Sequence, residues 1–388
     1  MGLDEENQLL LIIFAKNNMK YTPFVLVFSV LLFISCAGDD TAEETTPSDT
    51  FNRNAMLIHW VDNFIQPGYT ALETSLNTLS VAAEDFVAEP STTSLANARS
   101  SWLTAYQAFE TVSMFEIGRA EELNFRNRLN VYPTNTAELN QLVSSGVWNL
   151  ELPSTIDVQG FPAVDYLLYG LGTDEEIITL FTMSNEADNY KAYFIDLVET
   201  MQALTAEVKS DWDNGFRETY INNISSSASG AVDQTVNAFL FYYEKALRAG
   251  KVGIPAGVFS GSPLPQNVEA IYSQENSKPL LETSLAAAKN FFIGIGITGT
   301  NGSSLKDYLD TLNTVKNESD LSSLIIAQFE TAQEKVNGLL ANFVLQIESD
   351  NSKMLETYDE LQRNVILMKV DMLQALSIDI NYVDADGD

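Results

Sequence analysis

The sequence predicts an all-α protein, two helical-bundle domains joined and roofed by long irregular interhelical loops. Three observations predict it. From about Asn54 onward, apolar residues recur at intervals of three and four, the spacing that gathers them on one helix face. No stretch competes with the strict alternation of a half-buried strand. At 388 residues and 45% hydrophobic, the chain has enough apolar material for large cores between such helices.

Taken in order, "AMLIHWVDNFIQPGYTALETSLNTLSVAAEDFVAE" is helical, with Pro67 expected to kink or break it. "STTSLANARSSWLTAYQAFETVSMFEIG" opens on Ser and Thr, which cap helix starts, and carries Leu95, Trp102, Tyr106 and Phe109 on one face. "EADNYKAYFIDLVETMQALTAEVKSDWDNGF" is a further long helix, and "NNISSSASG", Asn222 to Gly230, is the best hinge. Five more helical blocks complete the chain, beginning at "SSASGAVDQTVNAFLFYYEKALRAGKVGIP" and ending at "KMLETYDELQRNVILMKVDMLQALSI". The expected domains are residues 54–224 and 225–388. Two irregular stretches exceed what a simple bundle needs: "NRLNVYPTNTAELNQLVSSGVWNLELPSTIDVQGFPAVDYLLYG" and "GKVGIPAGVFSGSPLPQNVEAIYSQENS". Such loops either roof the core or form the functional surface.

The first 35 residues read as an address. Lys20, the apolar run Phe24 to Ile34 and the pair Ser35-Cys36 form a cleaved secretion signal, too short for a comfortable membrane span. Cys36 sits where a bacterial lipoprotein is cut and lipidated. The polar, acidic residues before Met19 do not resemble the start of a signal, so translation is expected to begin at Met19. Residues 36–53 are then a flexible tether, and the folded body is extracytoplasmic, lipid-anchored to the bacterial outer membrane on its periplasmic or outer face.

Charge and composition exclude several functions. With 53 acidic against 21 basic residues and a net charge of -32, the chain is a poor partner for nucleic acid. His59 is the only histidine and Cys36 the only cysteine, so a zinc site of the usual ligands cannot be assembled, and any metal is held mainly by oxygens. His59 itself reads as a packed helix residue. "GKVGIPAG" lacks the order of a phosphate-binding loop, and the terminal "DADGD", Asp384 to Asp388, resembles only the start of a calcium loop.

The most informative segment is "DVQGFPAVDYLLYG", a short helix with Pro162 in its first turn and a single carboxylate, Asp165, among apolar and aromatic neighbours. Together with "ARSSWLTAYQAFETVSMFEIG", "LNVYPTNTAELN" and "KVGIPAGVFSGSPLPQNVEAIYS", it resembles the imelysin-like family of secreted and lipid-anchored bacterial proteins over nearly the whole mature chain. The family motif is G-x-H-x-x-E. Here Gly160 is retained, Pro162 stands in place of the histidine, and Asp165 in place of the glutamate. A proline ring has no donor atom, so a histidine-dependent metal site cannot exist at this motif.

The resemblance implies a site in a cleft between the two domains, with Asp165, Glu110, Arg119, Tyr132 and Asn130 as ligand-binding candidates, Glu116 beside them, and Trp102 and Tyr106 as core aromatics. It implies a binding protein associated with acquisition of iron or another divalent cation, with Asp165 and Glu110 the metal-ligand candidates, and a monomer meeting a small ligand, a metal or a partner protein. The alternatives are a metallopeptidase, as the family was once classed, disfavoured by Pro162, and a structural or protein-interaction module.

Overall fold

The computed structural model describes residues 50–382. The signal region, Cys36, most of the tether and the Asp384–Asp388 run lie outside the described residues. Within them the chain is helical almost throughout. Helix α1 (Arg53–Trp60), capped by the Asn52 side chain, continues through a π-helical turn, Val61–Ile65, into α2 (Gln66–Ala88). Pro67 does not break this helix, contrary to expectation. It occupies the first turn of α2, where a missing N–H removes little, and the preceding Gln66 N–H reaches back five residues to the Val61 carbonyl.

Ser91 and Ser94 form a reciprocal capping box that starts α3 (Thr92–Glu110). The first irregular stretch and its approach are more helical than the sequence suggests, holding α4 (Arg119–Glu122), α5 (Phe125–Leu129), α6 (Thr136–Ser145), a 3-10 turn at Pro153–Val158, and α7 (Gly160–Asp165). Then come α8 (Asp174–Thr182), the long α9 (Ala187–Asp211), α10 (Arg217–Asn222) and α11 (Ala231–Phe241). The second irregular stretch carries α12 (Ile254–Ala256) and a 3-10 turn at Pro265–Asn267. The remainder is α13 (Ser277–Ile293), α14 (Leu305–Thr311), α15 (Leu321–Asn337), α16 (Phe343–Asp350), α17 (Ser352–Ile366) and α18 (Leu373–Leu376). One feature had no sequence signal: a two-residue hairpin pairs β1 (Val315–Lys316) with β2 (Ser319–Asp320), turned by Asn317 and Glu318 at positive φ.

α2 packs along α3 and α9, α15 along α17, and α13 crosses from the later helices onto α3. The Asn223–Gly230 segment turns the chain where the hinge is expected, yet helices on either side of it share a core. The rings of Trp60 and Phe115 lie 5.0 and 5.3 Å from that of Phe291 on α13. The described residues belong to one compact unit. Among them no helix is long and apolar enough to cross a membrane.

Four further π-helical segments follow among the described residues, Tyr166–Gly170, Trp212–Phe216, Tyr242–Gly253 and Leu367–Met372, and the first and third of them shape the site. Tyr166–Gly170 continues α7, and the twelve-residue Tyr242–Gly253 continues α11. A π segment shifts side chains out of the 3.6-residue register and so aims residues that an α-helix would bury elsewhere; such segments recur at functional sites.

Candidate functional site

Three elements meet at one buried centre. Glu110 is the last residue of α3, on the same face as Trp102 and Tyr106, each four residues from the next. Lys251 comes from the π segment after α11, and Ser284 from α13. All three are at most 2% exposed. The Lys251 ammonium lies 2.7 Å from Glu110 Oε1 and also pairs with Glu269 Oε2. Glu110 Oε2 accepts from the Ser284 hydroxyl at 2.7 Å and the Tyr242 hydroxyl at 3.1 Å. Glu269 Oε1 accepts from the Tyr106 hydroxyl and from Asn130 Nδ2, both at 2.9 Å.

A cation between two carboxylates this deep is tolerable only because each charge is met. Burial pushes the Glu110 carboxyl up to about 7, although the Lys251 ammonium pulls the other way. For Lys251, burial favours the neutral amine, but Glu110 and Glu269 outweigh it and hold its pKa above the usual lysine value. Burial and the neighbouring carboxylates keep Tyr106, Tyr132 and Tyr242 neutral, and the hydroxyls of Tyr106 and Tyr242 donate to Glu269 and Glu110.

The raised Glu110 pKa has a definite sign. Between its ordinary value of 4.5 and about 7, the folded chain keeps a proton that the unfolded chain has released. Its contribution to stability is therefore full below pH 4.5 and lost as pH rises through 7. Melting temperatures at pH 5 and pH 8 are expected to differ more for the native chain than for Glu110→Gln, with the native chain more stable at pH 5. Equal slopes would show that Glu110 does not titrate in this range.

Asp165 is buried, at 1% exposed, in the second turn of the α7 segment, instead of facing solvent. Its two carboxylate oxygens accept the backbone N–H groups of Tyr272 and Ser273, each at 3.0 Å. Burial pushes it up to about 7 against the pull of those donors. The loop it grips runs directly from Glu269 and includes Ala270 at φ 54, a left-handed conformation costly for a residue with a Cβ. Asp165 thus positions the loop that delivers Glu269 to Lys251. Gly160 enters the same helix at φ 73, and a Cβ there would lie 2.2 Å from the Leu129 carbonyl oxygen; only glycine fits. Pro162 is buried in the first turn, and the Trp102 indole N–H donates to the Phe161 carbonyl at 3.1 Å. The Phe161 and Tyr106 rings stack 4.5 Å apart, which ties the motif helix to the face of α3 that carries Glu110.

Beside the charged centre opens a cavity of about 370 Å3. Glu110, Lys251, Asn130 and Tyr132 line it, as do Arg126, Lys245 and Phe241. Of the sequence candidates, Glu110, Asn130 and Tyr132 therefore meet at one cavity, and Asp165 stands behind it, acting through the Glu269 loop. Arg119 is not brought to it. Its guanidinium lies at the surface, paired with Glu207 and, at 2.6 Å, with Glu122. Glu116 accepts the Arg126 backbone N–H at 3.0 Å, and burial raises its pKa. His59 is packed: Nε2 lies 2.9 Å from the Gly294 carbonyl and Nδ1 3.0 Å from Asn63 Nδ2.

The side chains do not fit a resident metal. Glu110 and Glu269 each already take three protein donors, and Asp165 takes two backbone N–H groups. Among the described residues no three His, Cys, Asp or Glu side chains converge as a ligand set. Where a cation would sit between Glu110 and Glu269, the chain supplies its own in Lys251.

Lys251, Glu269, Tyr242, Ser284 and Arg126 do not emerge from the sequence reading. A signal existed for two of them: Lys251 in "AGKVGIP" and Glu269 in "NVEAIY" are single charges inside apolar runs, a pattern that marks paired burial.

These features define a class: an all-helical protein that encloses a buried, ion-paired Glu-Lys-Glu centre beside a cavity of ligand size. The family model described as Imelysin matches residues 65–367, and the chain belongs to that family. Among solved structures, an imelysin-like protein from Psychrobacter arcticum 273-4 has a similar fold, with a TM-score of 0.67 at 18% identity, covering 85% of this chain and 97% of that one. A putative iron-regulated protein A precursor from Parabacteroides distasonis ATCC 8503 gives 0.66 at 19% identity, covering 82% and 95%. No curated protein matches the chain.

Proposed function

We propose that the protein is a non-catalytic binding protein of the bacterial envelope, held to the outer membrane by lipid on Cys36, that takes a small ligand into the cavity beside Lys251. The observation that carries this reading is the cavity itself, about 370 Å3. It lies in the range of about 300–1,000 Å3 that small-molecule sites occupy, and it combines apolar walls with a few fixed polar groups.

Chemistry at the centre supports binding over catalysis. Lys251 is held protonated and so is no nucleophile, the motif histidine is Pro162, and the carboxylates are spent on protein donors. A solved relative in fold carries an iron-regulated name. A role for this chain in iron acquisition would then run through an organic ligand or a partner, and not through an ion held by these side chains.

Thermal-shift measurements with a small-molecule library test the reading. Ligands are expected to raise the melting temperature of the native chain but not of Ala246→Trp, which fills the cavity, while ferrous and ferric ions alone give no shift. Chelator-sensitive hydrolysis of unfolded protein, lost in Asp165→Ala, would overturn the non-catalytic assignment. Cys36→Ser is expected to move the protein from the membrane fraction to the soluble one; retention on the membrane would rule out the lipid anchor.

A further inference from the structure

The cavity differs in charge from the chain around it. The protein carries 53 acidic and 21 basic residues, yet the cavity lining holds Arg126, Lys245 and Lys251 against a single acid, Glu110. That acid is paired with Lys251 at 2.7 Å, a cation it shares with Glu269. Lys245 lies 2.8 Å from Glu244, so its charge is met as well.

Arg126 is different. Its guanidinium donates to the Ser113 carbonyl at 3.1 Å and lies 5.0 Å over the Phe241 ring. Among the described residues no carboxylate oxygen lies within 4 Å of it, although its backbone N–H is held by Glu116. A guanidinium has five N–H donors, and most of these remain unused. Arg126 and Phe241 also line a second cavity, of about 260 Å3, with Glu116 and Glu121 on that far side. Arg126 and Phe241 thus stand between the two cavities and line both.

We infer that the cavity takes a small organic carboxylate, whose head group pairs with Arg126 while its apolar body lies against Phe241 and Ile254 and its far end meets Tyr132 and Asn130. This rests on the binding function proposed for the cavity and deepens it. A planar carboxylate matches the guanidinium fork in two parallel hydrogen bonds. A guanidinium without a direct ion pair matches one negative charge, though its field also reaches Glu116, whose carboxyl it pulls down against burial. A phosphate dianion would need a second cation, and Lys245 and Lys251 are both engaged with carboxylates.

The test uses the full-length protein at low salt with 3-phenylpropionate, benzoate and decanoate as probes and 3-phenylpropanamide as the uncharged control. At least one carboxylate is expected to give a saturable rise in melting temperature and saturable calorimetric binding, and the amide none. Arg126→Gln is expected to weaken binding at least tenfold, and Arg126→Lys less, with circular dichroism showing both variants folded. Equal binding of acid and amide, an unchanged affinity in Arg126→Gln, or no binding by any carboxylate would each overturn the inference. Neutral ligands that bind the native chain and are blocked by Ala246→Trp would leave the binding function standing and remove only the anion. If Ala246→Trp blocks no ligand of any kind, both fall.

Discussion

Replacing Lys251 with methionine is expected to destabilise the protein by about 3–5 kcal/mol, the largest single effect of any change at the site. The cost comes mainly from the groups left behind. Glu110 and Glu269, both nearly fully buried, would face each other with no cation between them. The protein's remedy would be to protonate one, so the variant should regain stability as pH falls toward 5, more steeply than the native chain. Neutralising the whole centre in Glu110→Gln/Lys251→Met/Glu269→Gln should recover most of the loss, because an uncharged set no longer requires desolvating ions. Urea unfolding at pH 8 and pH 5 measures both. A Lys251→Met chain as stable as the native one would mean that the ion-paired centre is not formed.

Asp165→Ala is the second large effect, expected at about 3 kcal/mol. It removes the acceptors of two backbone N–H groups, Tyr272 and Ser273, and an unmet buried donor costs about 1–3 kcal/mol. Asp165→Asn keeps one acceptor oxygen and should cost less, about 1–2 kcal/mol. Hydrogen exchange at Tyr272 and Ser273 should accelerate in the alanine variant, since the strained backbone at Ala270 is no longer held. Asp165→Ala and Glu269→Gln should also couple in a double-mutant cycle by about 0.5–3 kcal/mol, because one residue places the other. Strict additivity would break the proposed link between the motif helix and the charged centre.

The fold class was legible because helical periodicity is a local property repeated over hundreds of residues. The face that carries Trp102, Tyr106 and Glu110 was legible for the same reason, four-residue spacing being a fixed rotation on a helix. Other features were set by contacts between distant segments. Arg119 and Arg126 stand seven residues apart in the same stretch, and nothing local tells that the first faces Glu207 while the second lies over Phe241. Pro67 looked like a break because a π-helical turn, which absorbs it, leaves no compositional mark. The fate of Asp165 was hidden too, since its partners are backbone groups more than a hundred residues away.

Lys251 gives the charged centre a property no bound ion could give. Its positive charge is part of the covalent chain, so its occupancy of the space between Glu110 and Glu269 does not depend on any concentration in solution. Chelators, competing ions and metal starvation leave it in place. Acidity does reach this centre, through the carboxyl of Glu110, which burial pushes up to about 7.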